Sequence, residues 1–299
     1  MKKILITGGT GFIGKYLTQM LLKEGHFVTI ITRSPGKYSE KQAKNRSYIG
    51  WDDGLVSAMN EHDTVINLVG ENLFGQRWTD EVKQRIYSSR IDSTQKLVDA
   101  MSESEKKPGL FISASAVGIY GDNGSKVLDE SAPAGDDFLA KVCEDWENAS
   151  RKAEDFGVRV ANPRIGIVLE ENGGMIEKMV LPFKFGVGGP IGSGEQYVPW
   201  VHMTDLCNAL LFPMENESVS GPYNACSPEP ETMNTLAKKM GKVLNRPSLF
   251  RVPEFVLNIA LGEAAKPVLS SLRVQPKVLQ TSGFNFMFED LEEALADIL

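Results

Sequence analysis

Residues 3–23, KILITGGTGFIGKYLTQMLLK, decide how the rest of the chain is read. Lys3–Thr7 is an apolar run of strand length with little alternation, suited to a strand buried on both faces. Gly8, Gly11 and Gly14 follow, and Ile13, Leu17, Met20 and Leu21 then repeat at helical intervals until Gly25. A strand, a glycine turn and a helix in this order can hold a phosphate. Gly8 permits the tight turn, Gly11 lets the backbone approach a pyrophosphate, and Gly14 lets the helix pack on the strand. The turn and helix start, with Thr10, Gly11, Phe12 and Ile13, then face the phosphates. The rival is a P-loop, because Gly9-x4-Gly14-Lys15 nearly fits it. Tyr16, however, stands where that motif needs Ser or Thr to meet Mg²⁺.

Working outward, strands are predicted at His26–Thr32, Ser47–Trp51, Thr64–Leu68, Leu110–Ser115, Val158–Asn162 and Gly166–Leu169. Helices are predicted at Asp80–Met101 and from Phe138 to about Ala153, the latter capped by Asp136 or Asp137. This alternation predicts an α/β fold of Rossmann type, a doubly wound parallel sheet with a smaller C-terminal substrate-side and helical region. Residues 1–165 would form the dinucleotide-binding domain, with 198–226 returning to it. Residues 166–197 and 227–299 would form substrate-side loops and a helical piece. Residues 171–202, ENGGMIEKMVLPFKFGVGGPIGSGEQYVPWVH, read as loop-rich cover over a ligand. Short helices are predicted at Thr232–Leu244, Pro253–Leu261, Glu263–Ser271 and Leu291–Leu299.

The formal charge of −7 argues against a nucleic-acid partner, which needs a basic face. Cys143, Cys207 and Cys226 lie far apart, as do His26, His62 and His202, so neither a disulfide framework nor a metal site is expected. No stretch approaches the roughly 18 apolar residues of a membrane span. The opening MKKILITGG is too short in apolar length for a signal peptide. A cytoplasmic protein acting on a small molecule is expected.

The end of the second strand reads IITRSPGK, with Thr32, Arg33 and Ser34 where an NAD-binding chain usually places a carboxylate for the ribose hydroxyls. A carboxylate repels a 2′-phosphate, whereas a guanidinium and a hydroxyl bind one. NADP(H) is therefore expected in preference to NAD(H).

The glycine spacing, NLVG at 67–70, SASAVGIYG at 113–121 and VPWVHMTDL at 198–206 together resemble the extended short-chain dehydrogenase/reductase superfamily. GENLFGQRWTDEVKQRIYSSRIDST, DDFLAKVCEDWE, PRIGIVLEENGG and the PEFVLNIALGE tail narrow the resemblance to the "epimerase family" branch, whose C-terminal piece is a domain of unknown function. The resemblance implies an NADP(H)-binding fold. It implies that Asp52 lies near the adenine, that Leu68, Val69 and Gly70 pass under the ribose, and that Ser113, Ser115 and Arg164 lie near the nicotinamide. Many members of the superfamily dimerise through two helices of the nucleotide domain, so a homodimer is an expectation on resemblance alone.

In that superfamily hydride transfer relies on Tyr-x-x-x-Lys on the helix after the fifth strand. Here the stretch is DDFLAKVCEDWE. One register puts Leu139 and Cys143 in those roles and another puts Asp137 in the tyrosine's, so neither gives the pair. Arg90 stands where many relatives have an asparagine of the proton relay. An arginine cannot shuttle a proton near neutral pH and suits a phosphate or carboxylate instead. The candidates left for catalysis are Ser115, to polarise a carbonyl, and Tyr120, which carries a hydroxyl. Glu71, Arg77, Trp78, Tyr197, Trp200 and His202 are candidate substrate contacts, although His202 and its neighbours also read as a strand leading into a helix capped by Thr204 or Asp205. Two functions stay open: a reductase or epimerase acting on a small polar or nucleotide-linked substrate, and a catalytically silent NADP(H) sensor or scaffold.

Overall fold

The computed structural model describes residues 1–74 and 76–299. Its main sheet contains β1 (Lys3–Thr7), β2 (Phe27–Ile31), β3 (Arg46–Ile49), β4 (Thr64–Asn67), β5 (Leu110–Ser113), β6 (Arg159–Ile165) and β7 (Gly221–Ala225). Their order in space is β7-β6-β5-β4-β1-β2-β3, and the short Ser115–Ala116 strand also pairs with β6. Every pairing in this sheet is parallel, as helical crossovers require. The winding reverses between β1 and β4, which opens a crevice at their carboxyl ends. The fold is a Rossmann-type α/β fold.

The unbroken apolar run of β1 follows from its central place. Ile4 and Ile6 pack into the core with α1 (Phe12–Lys23), while Leu5 faces the opposite core, with α2 (Leu55–Glu61) and α3 (Asp80–Glu103). The helix α4 (Phe138–Arg151) begins at Asp137, whose carboxylate accepts the Ala140 N–H at 2.8 Å.

A second core lies beyond the sheet. It joins α5 (Gly174–Lys184), α7 (Met233–Val243) and the helix Leu291–Ile298 through Ile176, Met179, Phe183, Leu236, Met240 and Leu295. Helix α5 falls inside the stretch expected to be loop. Its buried residues Ile176, Met179, Val180 and Phe183 do keep helical spacing, but Gly173, Gly174 and the internal Pro182 obscure it in the sequence. Strand β7, GPYNA, is likewise inconspicuous, and its Pro222 is tolerated because β7 is an edge strand.

Helix α6 (Met203–Glu215) is capped by neither Thr204 nor Asp205. The His202 ring accepts the Thr204 N–H at its Nδ1, 3.2 Å away. Asp205 instead accepts the backbone N–H groups of Met287 and Phe288 at 2.8 and 2.9 Å, fastening the C-terminal tail to α6. Among the described residues no helix is long and apolar enough to cross a membrane.

Candidate functional site

At the crevice, β1 ends and Gly8 turns the chain with φ +72°. A Cβ there would lie 2.6 Å from the Leu68 carbonyl oxygen, so the turn seats directly against the segment that follows β4. The Gly11 N–H donates to the Gly8 carbonyl at 2.9 Å and closes the turn. A Cβ on Gly14 would lie 2.2 Å from that same carbonyl, so only glycine lets α1 start this close. No side chain caps the start of α1 and its first turn carries no acid, so its N–H groups and partial positive charge remain for an anion.

Thr10, Gly11, Phe12, Ile13 and Gly14 line a cleft of about 1610 Å³, together with Leu68, Val69 and Gly70. Buried polar contacts hold its floor. Asn67 accepts from the Thr7 hydroxyl at 2.7 Å and donates to Thr94 and Ser113 at 2.8 and 3.2 Å. Ser113 therefore supports the floor and does not line the cleft.

Arg33 lines the cleft just past β2, is exposed, and has no ion-pair partner among the described residues. Ser34 does not line the cleft, and its backbone N–H approaches the Thr32 hydroxyl at 3.5 Å. Beside Arg33 a shallow hollow of about 410 Å³ is rimmed by Trp51, Arg85 and Lys96. Arg85, Ser88, Ser89, Asp92, Ser93 and Lys96 share one side of α3, at a helical spacing legible in the sequence but not singled out there. Asp52 points away into solvent and pairs with Lys96 at 2.7 Å, while its neighbour Trp51 lines the cleft.

The strand-end groups expected near a nicotinamide are occupied with one another. The Ser115 hydroxyl donates to Glu147 Oε1 at 2.7 Å, and Arg164 grips the same carboxylate through Nε and Nη2 at 2.8 and 3.0 Å. Arg164 Nη1 donates at 2.9 Å to the Tyr120 hydroxyl, which donates to Asn224 Oδ1 at 2.7 Å. All five side chains are buried, and none of them lines the cleft. Burial pushes the Tyr120 hydroxyl up to about 12, although Arg164 and Asn224 pull the other way. Burial opposes the Arg164 charge, yet the hydrogen bonds and charge of Glu147 raise its pKa above the ordinary arginine value. The structure thus gives Ser115, Tyr120 and Arg164 internal hydrogen-bond partners.

The positions that replace the Tyr-x-x-x-Lys pair lie on α4. Leu139 lines the cleft beside Gly118, and Cys143 is buried, its thiol pushed up to about 12 first by burial and then by Glu147. Arg90 is held over the Trp146 ring at 5.3 Å and donates to the Ile86 and Glu71 carbonyls at 2.9 and 3.2 Å. Its guanidinium fills the space a Cβ on Gly70 would need, so it props the Gly70–Glu71 backbone.

Of the candidate substrate contacts, Glu71, Trp78 and Tyr197 line the cleft. Arg77 is turned away and donates to the Ile259 carbonyl at 2.8 Å. Trp200 is fully buried and donates its indole N–H to the Glu229 carbonyl at 2.9 Å. His202 is buried beneath Phe288, and burial is the first cause lowering its pKa. Its Nε2 lies 3.2 Å from Asp297 without hydrogen-bond geometry. Arg77, Trp200 and His202 are thus drawn into structural contacts outside the cleft.

The family model described as the NAD dependent epimerase/dehydratase family matches residues 4–226, and one described as a domain of unknown function, DUF1731, matches residues 252–298. Epimerase family protein YfhF of Bacillus subtilis is 39% identical over 300 residues, which cover 99% of this chain and 97% of that protein. The crystal structure of human epimerase family protein SDR39U1 (isoform 2) with NADPH superposes with a TM-score of 0.91 at 34% identity, covering 99% of this chain and 98% of that one. UDP-glucuronic acid 4-epimerase from Bacillus cereus shares the fold, with a TM-score of 0.77 at 17% identity, covering 99% and 97% of the two chains.

Proposed function

The chain belongs to the NAD-dependent epimerase/dehydratase family, and from that premise we propose that it binds NADP(H) and uses it on a small-molecule substrate. One observation carries this reading: an uncapped helix start and an exposed arginine without an ion pair among the described residues open onto the same cleft. The N–H groups at the start of α1 would hold a pyrophosphate, and Arg33, with Arg85 on the adjoining rim, a 2′-phosphate. The NADPH in the human relative supports the same choice.

When bound, such a cofactor supplies a nicotinamide that gives or takes a hydride. The chain's own residues position the ligands and exclude water. Leu139 offers no proton, and at a pKa of about 12 the Cys143 thiol stays protonated near neutral pH. Asp137 is engaged as the cap of α4. The Glu71 carboxylate lines the cleft and makes no hydrogen bond or ion pair among the described residues, while Ser89 and Arg90 hold its backbone at 3.0 and 3.2 Å. We assign proton handling to Glu71.

A silent NADP(H) sensor is the second reading, favoured by the apolar Leu139 where a hydroxyl is expected. Against it, the cleft of about 1610 Å³ exceeds the roughly 300–1000 Å³ of a typical ligand site, which leaves room for a second ligand. Calorimetric titration with NADPH and NADH tests the cofactor half: selective NADPH binding is expected, and binding of neither overturns it. Turnover is tested by NADPH oxidation across a panel of carbonyl compounds. A rate that is lost in Glu71→Gln with NADPH affinity intact supports the enzyme, whereas a rate unchanged in that variant removes the role of Glu71.

A further inference from the structure

We infer, resting on that cofactor-and-substrate reading of the cleft, that its second ligand is an apolar molecule, a hydrocarbon chain or ring system of little formal charge. A sugar nucleotide or other diphosphate ester fits poorly. The difference lies in what forms the walls beyond the glycine turn. The segment after β4 contributes Phe74 and Trp78 and the start of α4 contributes Phe138, whose ring meets that of Trp78 edge to face with centroids 5.6 Å apart. Opposite them stand Met175 and Met179 from α5. The C-terminal region closes the space with Val252, Leu257, Leu261, Val268 and Leu272.

The charges at this end point the same way. Its lining cations are Lys178 and Lys266. Lys178 Nζ donates to the Phe74 carbonyl at 3.1 Å, and Lys266 shares the lining with Glu263, whose carboxylate pairs with Lys83, the lysine that lies 5.7 Å over the Phe138 ring. Over the whole cleft the lining carboxylates are Glu71, Asp137, Glu170, Glu177 and Glu263 and the lining cations Lys15, Arg33, Lys178 and Lys266, so the cleft carries no cationic excess. Arg77 is committed to the Ile259 carbonyl, and Arg273 lies over the Tyr197 ring at 5.0 Å without lining the cleft. A diphosphate placed here meets like charge and finds no guanidinium to grip it.

Helix α8 (Glu254–Leu261) carries the apolar character outward. Leu257 and Leu261, one turn apart, line the cleft, while Phe255, Val256 and Ile259 are 64%, 41% and 70% exposed. No residue of this helix is buried, so an interior core does not account for its composition. An apolar ligand covering its inner side removes hydrocarbon from water, worth about 25 cal/mol per Å².

The experiment titrates NADPH-saturated protein with Nile red, a neutral apolar dye whose emission rises on leaving water, and in parallel with UDP-glucose by calorimetry. Saturable dye uptake and no UDP-glucose heat are expected. Leu257→Asn should weaken dye binding about tenfold, near 1.4 kcal/mol, with NADPH affinity unchanged. The outer-face variant Phe255→Gln should leave the dye affinity as it was. UDP-glucose binding, absence of dye uptake, or dye binding lost in Phe255→Gln but kept in Leu257→Asn each overturns the proposal. Because NADPH is titrated separately, failure of the cofactor reading appears as missing NADPH heat whatever the dye does.

Discussion

Strands β2 and β6 each bring an arginine to the carboxyl edge of the sheet, and the two stand in opposite surroundings. Arg33, past β2, stands on the cleft wall, exposed and without an ion pair among the described residues. Arg164, near the end of β6, is 7% exposed and spends its donors on Glu147 and Tyr120. Place in the fold is similar, and what differs is the supply of internal acceptors. A polar group at a strand end serves a ligand only where the protein has left it unfilled, and the Arg164 network is instead part of the scaffold behind the cleft.

The hardest test of that contrast is Glu147→Gln. Removing one partner of a buried pair should cost about 3–5 kcal/mol, read as a lower urea midpoint, while the folded fraction keeps its NADPH affinity. Loss of NADPH binding with stability intact would return Arg164 to the site. The complementary variant, Arg33→Ala, should weaken NADPH by about 1.5–3 kcal/mol, the scale of a hydrogen bond to a charged group, and leave NADH and the urea midpoint unchanged. Equal losses for the two cofactors would break the assignment of Arg33 to the 2′-phosphate.

Ser115→Ala should cost about 0.5–1.5 kcal/mol of stability, one net hydrogen bond, and leave any turnover rate untouched. A rate that falls while stability holds would make Ser115 a catalytic group after all.

The smallest expected effect concerns an imidazole beneath β2. His62 is buried, with its ring nitrogens 2.6 Å from the Ala58 carbonyl and 2.8 Å from the Thr29 hydroxyl, and burial is the first cause lowering its pKa below the ordinary imidazole value. The unfolded chain therefore binds the proton first. The His62 contribution is complete above about pH 6.5 and is lost as pH falls toward the lower folded value. Melting temperatures compared at about pH 7.5 and about pH 5.5 should show a smaller acid loss in His62→Gln than in the unsubstituted protein. An identical loss in both would locate the pH sensitivity elsewhere.

Much of the nucleotide end was legible in the sequence because its demands act on single residues. Gly8 needs a positive φ, Gly14 needs an absent Cβ, and the choice of arginine over a carboxylate at position 33 is visible without any partner. The partners of Ser115 and Tyr120 were not legible, for the opposite reason. Their hydroxyls are spent on Glu147, 32 residues away, and Asn224, 104 residues away, and no local pattern announces such pairings. His202 likewise reads as a candidate ligand contact until its ring is found capping α6. The apolar walls were hidden because Met175, Leu257 and Leu272 belong to separate segments that only the fold brings to one space.

The clasp between Asp205 and the tail sets an order on synthesis. The Met287 and Phe288 N–H groups are its hydrogen-bond donors to that carboxylate, and Asp205 itself is 1% exposed. A ribosome delivers these donors 82 and 83 residues after Asp205, well after α6 has emerged. Until then the carboxylate lacks both of these backbone donors. Closure around Asp205 is thereby tied to synthesis of the chain through Phe288, and a message cut short before Met287 yields a product without either donor to that carboxylate.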